Sequence, residues 1–132
     1  MHLSVFVVED NAELQEMLVD TLEELTSVKV VGSAATEEEA LAWLRAEHDW
    51  DLLIVDLFLR GGSGMRLVQH IHRARPEQKL IVFSNYVNAS VRKRCAQLGV
   101  DAVFDKSTEI DALVDYCAHQ CFRVSQAQAA AA

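Results

Sequence analysis

Short β-branched and apolar runs alternate along this chain with longer segments in which apolar residues recur every three or four positions. Leu3 to Val8 is the first such run, and it closes on Glu9-Asp10. Asn11 can cap the helix that follows, whose Leu14, Met17, Leu18, Thr21, Leu22 and Leu25 share one face. Residues 28–33 predict a second strand, with Gly32 near its end. Thr36-Glu37-Glu38-Glu39 has capping-box spacing and opens a helix carrying Ala40, Leu41, Trp43 and Leu44. Asp51-Leu52-Leu53-Ile54-Val55-Asp56 is apolar between its two carboxylates, as expected of a strand covered on both faces. Ser63 or Gly64 opens a helix through Met65, Leu67, Val68 and Ile71, with Pro76 at or just past its end. A fourth strand at 79–83 closes on Ser84-Asn85-Tyr86. Val91, Cys95 and Leu98 mark the next helix, which Gly99 is suited to stop. A fifth strand at 100–104 closes on Asp105-Lys106-Ser107, and Ser107 or Thr108 caps a last helix with Ile110, Leu113, Val114, Cys117 and Cys121 inward. Residues 125–132, rich in Gln and Ala, have no periodic apolar face and are expected to form a flexible tail or fraying helix end beyond a domain spanning 1–124.

Strands alternating with helices predict an α/β fold: a doubly wound, five-stranded parallel sheet with helices on both faces. The flavodoxin-like strand order 2-1-3-4-5 is the expected one, and it reverses direction between strands one and three. Ligands of open α/β sheets bind at that reversal, beyond the carboxyl ends of the strands. Glu9, Asp10 and Asp56 all fall there, and Ser84 and Lys106 end the next two strands on the same edge.

Composition narrows the reading without changing it. A chain of 132 residues with 51% apolar and 24% charged residues has the makeup of one soluble domain with its own core. No apolar run approaches the roughly 20 residues needed to cross a bilayer, and the N-terminus lacks the pattern of a signal peptide, so a cytoplasmic chain without membrane contact is expected. The net charge of −8 argues against a direct nucleic-acid binder. Acidic residues crowd positions 9–24, and basic ones gather later, including Arg92-Lys93-Arg94, which read first as a solvated helix face and, as the alternative, as a surface for an acidic partner. Cys95, Cys117 and Cys121 lack zinc-like spacing and read as buried small hydrophobes in a reducing compartment. His70 and His72 sit two apart on a helix and point in different directions.

Three converging carboxylates repel one another unless a hard cation joins them. Mg2+ takes oxygen ligands and commonly bridges one or two carboxylates to a phosphoryl group. Lys106 is a point charge suited to a phosphoryl oxygen, and Ser84 can donate a hydrogen bond to another. The chemistry these residues imply is phosphoryl transfer to a carboxylate nucleophile.

With that set in place, the chain resembles the receiver domain of two-component response regulators over residues 3 to about 122. The likeness rests on Glu9-Asp10, on Asp56 with its loop Leu57-Phe58-Leu59-Arg60-Gly61-Gly62-Ser63-Gly64, on Ser84 and on Lys106. It implies that Asp56 accepts a phosphoryl group from a sensor histidine kinase or a histidine phosphotransfer protein. It implies that Glu9, Asp10, Asp56 and the backbone carbonyl of Phe58 hold Mg2+. Ser84 and Lys106 would bind the phosphoryl oxygens and report to an output protein through helix four, strand five and helix five. Such a domain is no enzyme beyond self-catalysed phosphorylation and slow autodephosphorylation. It would stand alone or be cut from a longer regulator, as a monomer or weak homodimer.

The chain departs from the family pattern at Val103, Ser107 and Arg60. Val103 stands where an aromatic residue usually swings inward, and a β-branched side chain is stiff. Phe104 beside it points to the other face, so the signal is expected to travel through the Ser84 loop and helix four. Ser107 replaces the usual cis proline, and a cis bond there would cost roughly 3–4 kcal/mol, so a trans bond is expected. Arg60 replaces a common proline, a change that a turn with three glycines should tolerate. Phe58 and Tyr86 hold the two positions that tune phosphoryl lifetime; neither can orient water, so slow self-hydrolysis is expected. A haloacid-dehalogenase-like phosphatase would need an aspartate at Phe58, and a flavodoxin would need a phosphate loop where Glu9-Asp10-Asn11-Ala12-Glu13 stands. The remaining alternative is a receiver-like module that binds proteins independently of phosphorylation.

Overall fold

The structure is a computed structural model and describes residues 2–131. Its elements follow the order β1 (Leu3–Val8), α1 (Ala12–Leu25), β2 (Val28–Ala34), α2 (Glu37–Arg45), β3 (Leu52–Val55), α3 (Gly64–Gln69), β4 (Lys79–Ser84), α4 (Ala89–Gln97), β5 (Ala102–Asp105) and α5 (Ile110–Ala131). All strand pairs are parallel, in the order β2-β1-β3-β4-β5. The expected doubly wound architecture and strand order are therefore present.

Strand alternation divides the core into two layers. Phe6, Val8, Leu53, Val55, Leu80 and Val82 face Ala40 of α2, Leu67 and Val68 of α3 and Cys95 of α4. Val5, Val7, Leu52, Ile54, Ile81 and Phe83 face Leu18 and Leu22 of α1 and Leu113 and Cys117 of α5. Val103 and Phe104 fall in opposite layers, as a period of two requires. The register of β1 and β2 slips between Val5–Val30 and Phe6–Gly32, leaving Val31 unpaired on the edge strand. Gly32 is needed beside that slip, because a Cβ there would lie 2.8 Å from Nε1 of Trp43, whose ring stacks 4.0 Å from Phe6.

Helix starts follow local chemistry. The side chains of Asn11, Thr36, Ser63 and Asn88 accept backbone N–H bonds from Leu14, Glu39, Arg66 and Val91. Two elements differ from the sequence expectation. First, α3 stops at Gln69 instead of reaching Ile71, and residues 70–78 are irregular. The helix tightens at its end, where the amides of His70 and Ile71 donate to the carbonyls of Leu67 and Val68 three residues back. Beyond it the buried Gln78 ties the segment, its Oε1 accepting from the amides of Ala74 and Arg75 and its Nε2 donating to the carbonyl of Trp50. Second, the turn before α5 is closed by acids: Glu109 accepts from the amide of Asp105, and Asp105 accepts from the amide and hydroxyl of Ser107. The last helix, α5, runs on through Ala131. Among the described residues no helix is long and apolar enough to cross a membrane.

Candidate functional site

β1 and β3 are neighbours, and each delivers its chain into the same crevice. Glu9 and Asp10 follow β1 directly, and Asp56 follows β3. One carboxylate oxygen from each of Glu9, Asp10 and Asp56 lies within 4.8 Å of the others. Ser84 is the last residue of β4, and Lys106 follows β5. The sheet edge thus gathers every side chain that the sequence assigned to the site.

Asp56 is 5% exposed, and both of its oxygens are held. Oδ1 accepts from the Ser84 hydroxyl at 2.7 Å and from the Phe58 amide at 3.1 Å. Oδ2 accepts from Nζ of Lys106 at 2.6 Å. The same ammonium meets Oε1 of Glu9 at 2.5 Å, so the lysine bridges two carboxylates. Burial works against the Lys106 charge, but its hydrogen bonds to Asp56 and Glu9 outweigh that and hold its pKa above the ordinary value. Glu9 is pushed up by burial, against the pull of Lys106 and of the Asn11 amide. Asp10 is less buried, and its Oδ2 accepts from the Arg60 amide at 2.7 Å. A proline at position 60 would lack that N–H, so Arg60 is more than tolerated here: its backbone ties the loop to Asp10.

A cleft of about 210 Å3 opens above these groups, lined by Glu9, Asp10, Asp56 and Lys106 with Phe58 and Tyr86 at its mouth. The two rings meet edge to face with centroids 6.1 Å apart and are 56% and 81% exposed. Tyr86 has a φ of 59°, in the left-handed region that costs a non-glycine residue about 1–2 kcal/mol. A larger cleft of about 710 Å3 lies towards the other end of the sheet, near Trp50 and Gln78, away from this chemistry. Three carboxylates face the buried ammonium of Lys106 and the exposed guanidinium of Arg60, 3.9 Å from Asp10, which leaves acid in excess in the crevice. An all-oxygen donor set with that surplus fits a hard divalent cation such as Mg2+.

The departures from the family pattern also have local accounts. The Lys106–Ser107 peptide is trans, as expected. Beside Val103, Arg92 of α4 donates to the Val103 carbonyl at 2.9 Å and to Glu109 at 2.7 Å, bracing α4 against β5. Sequence reasoning missed the contribution of the α2 start. Glu37 accepts from the Ser63 amide and takes the guanidinium of Arg66 as a fork, at 2.7 to 3.0 Å. Three consecutive glutamates read as a helix's first turn, and no local signal tells which one reaches across the fold.

A doubly wound sheet with a lysine-bridged acidic crevice at its switch point defines a receiver-type signalling domain. The profile of the response regulator receiver domain matches residues 5–118, and the chain belongs to that family. It is 25% identical over 104 residues to the response regulator UvrY of Escherichia coli, covering 79% of this chain and 47% of that one. It is 24% identical over 115 residues to the response regulator protein VraR of Staphylococcus aureus, covering 87% and 54%. The chain thus spans about half the length of these relatives. A CheY-like response regulator receiver domain protein from Methanospirillum hungatei superposes with a TM-score of 0.78 at 20% identity, covering 96% of this chain and 98% of that one, which is a likeness of fold.

Proposed function

We propose that Asp56 accepts a phosphoryl group from a phosphohistidine on a sensor kinase or phosphotransfer protein. The observation that carries this reading is the buried Asp56 carboxylate, held by Ser84 and Lys106 beside Glu9 and Asp10. An Asp56 oxygen attacks phosphorus, the O–P bond forms as the N–P bond breaks, and the imidazole nitrogen leaves with its electron pair and takes up a proton. Lys106, already on the Asp56 carboxylate, is placed to follow the charge onto the phosphoryl oxygens. Ser84 can turn its hydroxyl from Asp56 to a phosphoryl oxygen, which would draw the β4–α4 loop inward. Glu9, Asp10, Asp56 and the Phe58 carbonyl would hold Mg2+, which when bound neutralises charge on the transferring group.

The readout runs through α4, β5 and α5, with Arg92 rather than an aromatic residue at 103 linking α4 to β5. Phe58 and Tyr86 bring neither carboxylate nor amide to the crevice mouth, which supports slow self-hydrolysis. Loss of label within seconds at neutral pH contradicts that part. The deciding experiment is uptake of radiolabel from a small acyl phosphate. Uptake should require Mg2+ and vanish in Asp56→Asn. A wild-type chain that takes no label yet binds its partner would favour the phosphorylation-independent module.

A further inference from the structure

The loop between β3 and α3 contains Gly61 and Gly62, and glycines give a free chain the most conformational freedom to lose on ordering. Here the loop is tied down along its length. At one end the Arg60 amide donates to Asp10 at 2.7 Å. In the middle the Gly61 carbonyl accepts from the Glu37 amide at 2.9 Å, and Gly61 pairs with Thr36 in an isolated parallel bridge. At the other end the Ser63 amide donates to Oε1 of Glu37 at 2.9 Å. Arg66, one turn into α3, closes its Nε and Nη2 on the same carboxylate.

The neighbours of Glu37 show that this is not a generic feature of a helix start. Glu39 turns back to the Ala35 amide within its own turn, and Glu38 is exposed. Only Glu37, 9% exposed, spans to residues 26 and 29 positions away. The fit is close: Gly62 has a φ of 97°, and a Cβ there would sit 2.5 Å from the Cβ of Glu37. The Glu37 carboxyl is correspondingly held at about 2, first by the Arg66 hydrogen bonds and then by the Ser63 amide.

We infer that Glu37, locked by Arg66, is a positioning residue for divalent-cation binding: it fixes the 58–63 loop so that the Phe58 carbonyl and Asp10 are presented together to the ion. The inference rests on the proposed cation site. Glu37 touches neither the ion nor the phosphoryl group, and it acts through backbone it immobilises. Groups hydrogen-bonded directly to a ligand change metal affinity by about 10–100-fold when removed. Glu37 stands one step further back, bonded to the Ser63 amide and Arg66, so the low end of that range is the upper bound here.

The test is a Mg2+ titration of the full chain, by calorimetry and by displacement of Mn2+ followed by electron paramagnetic resonance. Hydrogen exchange across residues 57–64 is measured on the same samples. Glu37→Gln and Arg66→Met should each weaken Mg2+ by up to about tenfold and speed exchange in the loop, while the rate of label uptake at saturating Mg2+ stays within about twofold. A merely structural role would move the melting temperature and leave that split absent. The Arg66 side chain is largely exposed, so Arg66→Met keeps the test valid if the Glu37 variant fails to fold. Mg2+ affinity unchanged in a folded Arg66→Met overturns the inference, whatever the label does. If the wild type binds Mg2+ but takes no label, the phosphorylation reading fails while the titration still decides this one. If the wild type binds no Mg2+, both fall.

Discussion

Gly64→Ala is the sharpest perturbation the fold offers, because everything the new methyl group would meet is backbone. An ideal Cβ at Gly64 lies 1.8 Å from the Asp56 carbonyl oxygen and 2.7 Å from both its carbon and the Leu57 Cα. Ordinary contacts are about 3.5 Å, so the Asp56–Leu57 peptide and the start of α3 must separate by more than 1 Å (about half the shortfall each). Overpacking of a well-packed region costs about 1–3 kcal/mol, occasionally more, and with no flexible side chain to yield the cost should lie near the top. At about 2.1 cal/mol/K per residue of unfolding entropy, the 132 residues give about 0.28 kcal/mol/K. A cost of about 3 kcal/mol therefore lowers the melting temperature by about 11 °C. Gly99→Ala is the internal control. Nothing lies within 4 Å of its Cβ position, but its φ is 83°, so only left-handed strain remains. That strain is about 1–2 kcal/mol, and part is recovered from the stiffer unfolded chain, leaving a fall of about 3 °C. Thermal melts by circular dichroism measure both, and label uptake well below the transition should drop for Gly64→Ala alone. A Gly64→Ala melt within 2 °C of wild type, or one milder than Gly99→Ala, would refute the reasoning.

Three further outcomes are expected. Glu37 titrates about 2 in the folded chain against an ordinary 4.5, so its contribution is complete above about pH 5 and is lost as pH falls towards 2. Urea midpoints of wild type and Glu37→Gln should accordingly differ at neutral pH and draw together as pH falls from about 5 towards 2; a constant gap contradicts the ion pair. Burial pushes the Cys117 thiol up to about 12, and Cys95 is raised by burial as well. Alkylation at mildly alkaline pH, read by mass spectrometry, should mark the partly exposed Cys121 first and Cys95 and Cys117 only on unfolding. Arg92→Ala removes the bonds to Val103 and Glu109, so amide exchange across α4 should quicken while the melting temperature barely moves. Unchanged exchange would show that the brace does not hold α4.

The fold was legible because its signals are local and repeated. Apolar runs such as 52–55 end in carboxylates, amides or hydroxyls that cannot continue a buried strand, and parallel strands then bring those ends to one edge. Glu9, Asp10, Asp56, Ser84 and Lys106 were readable as a group for that reason. Val103 and Phe104 could be assigned to opposite faces from alternation alone. What stayed hidden depends on contacts between distant residues. The apolar positions of α3 run on to Ile71, but the helix stops at Gln69, and the segment after it is held by Gln78, whose side chain takes the amides of Ala74 and Arg75 and reaches the carbonyl of Trp50. The tie between Glu37 and Arg66 joins positions 29 apart, and neither residue differs in kind from its charged neighbours.

The slip at Val31 bears on how the protein behaves at high concentration. β2 is an edge strand, and a straight edge offers a row of free amides and carbonyls on which another chain can build. The extra residue interrupts that row halfway along, and the exposed Lys29 adds charge beside the interruption. A neighbouring molecule that began pairing at one end of β2 would lose register at Val31. The irregularity that seats Trp43 against Phe6 thus also acts as a guard against sheet-to-sheet aggregation.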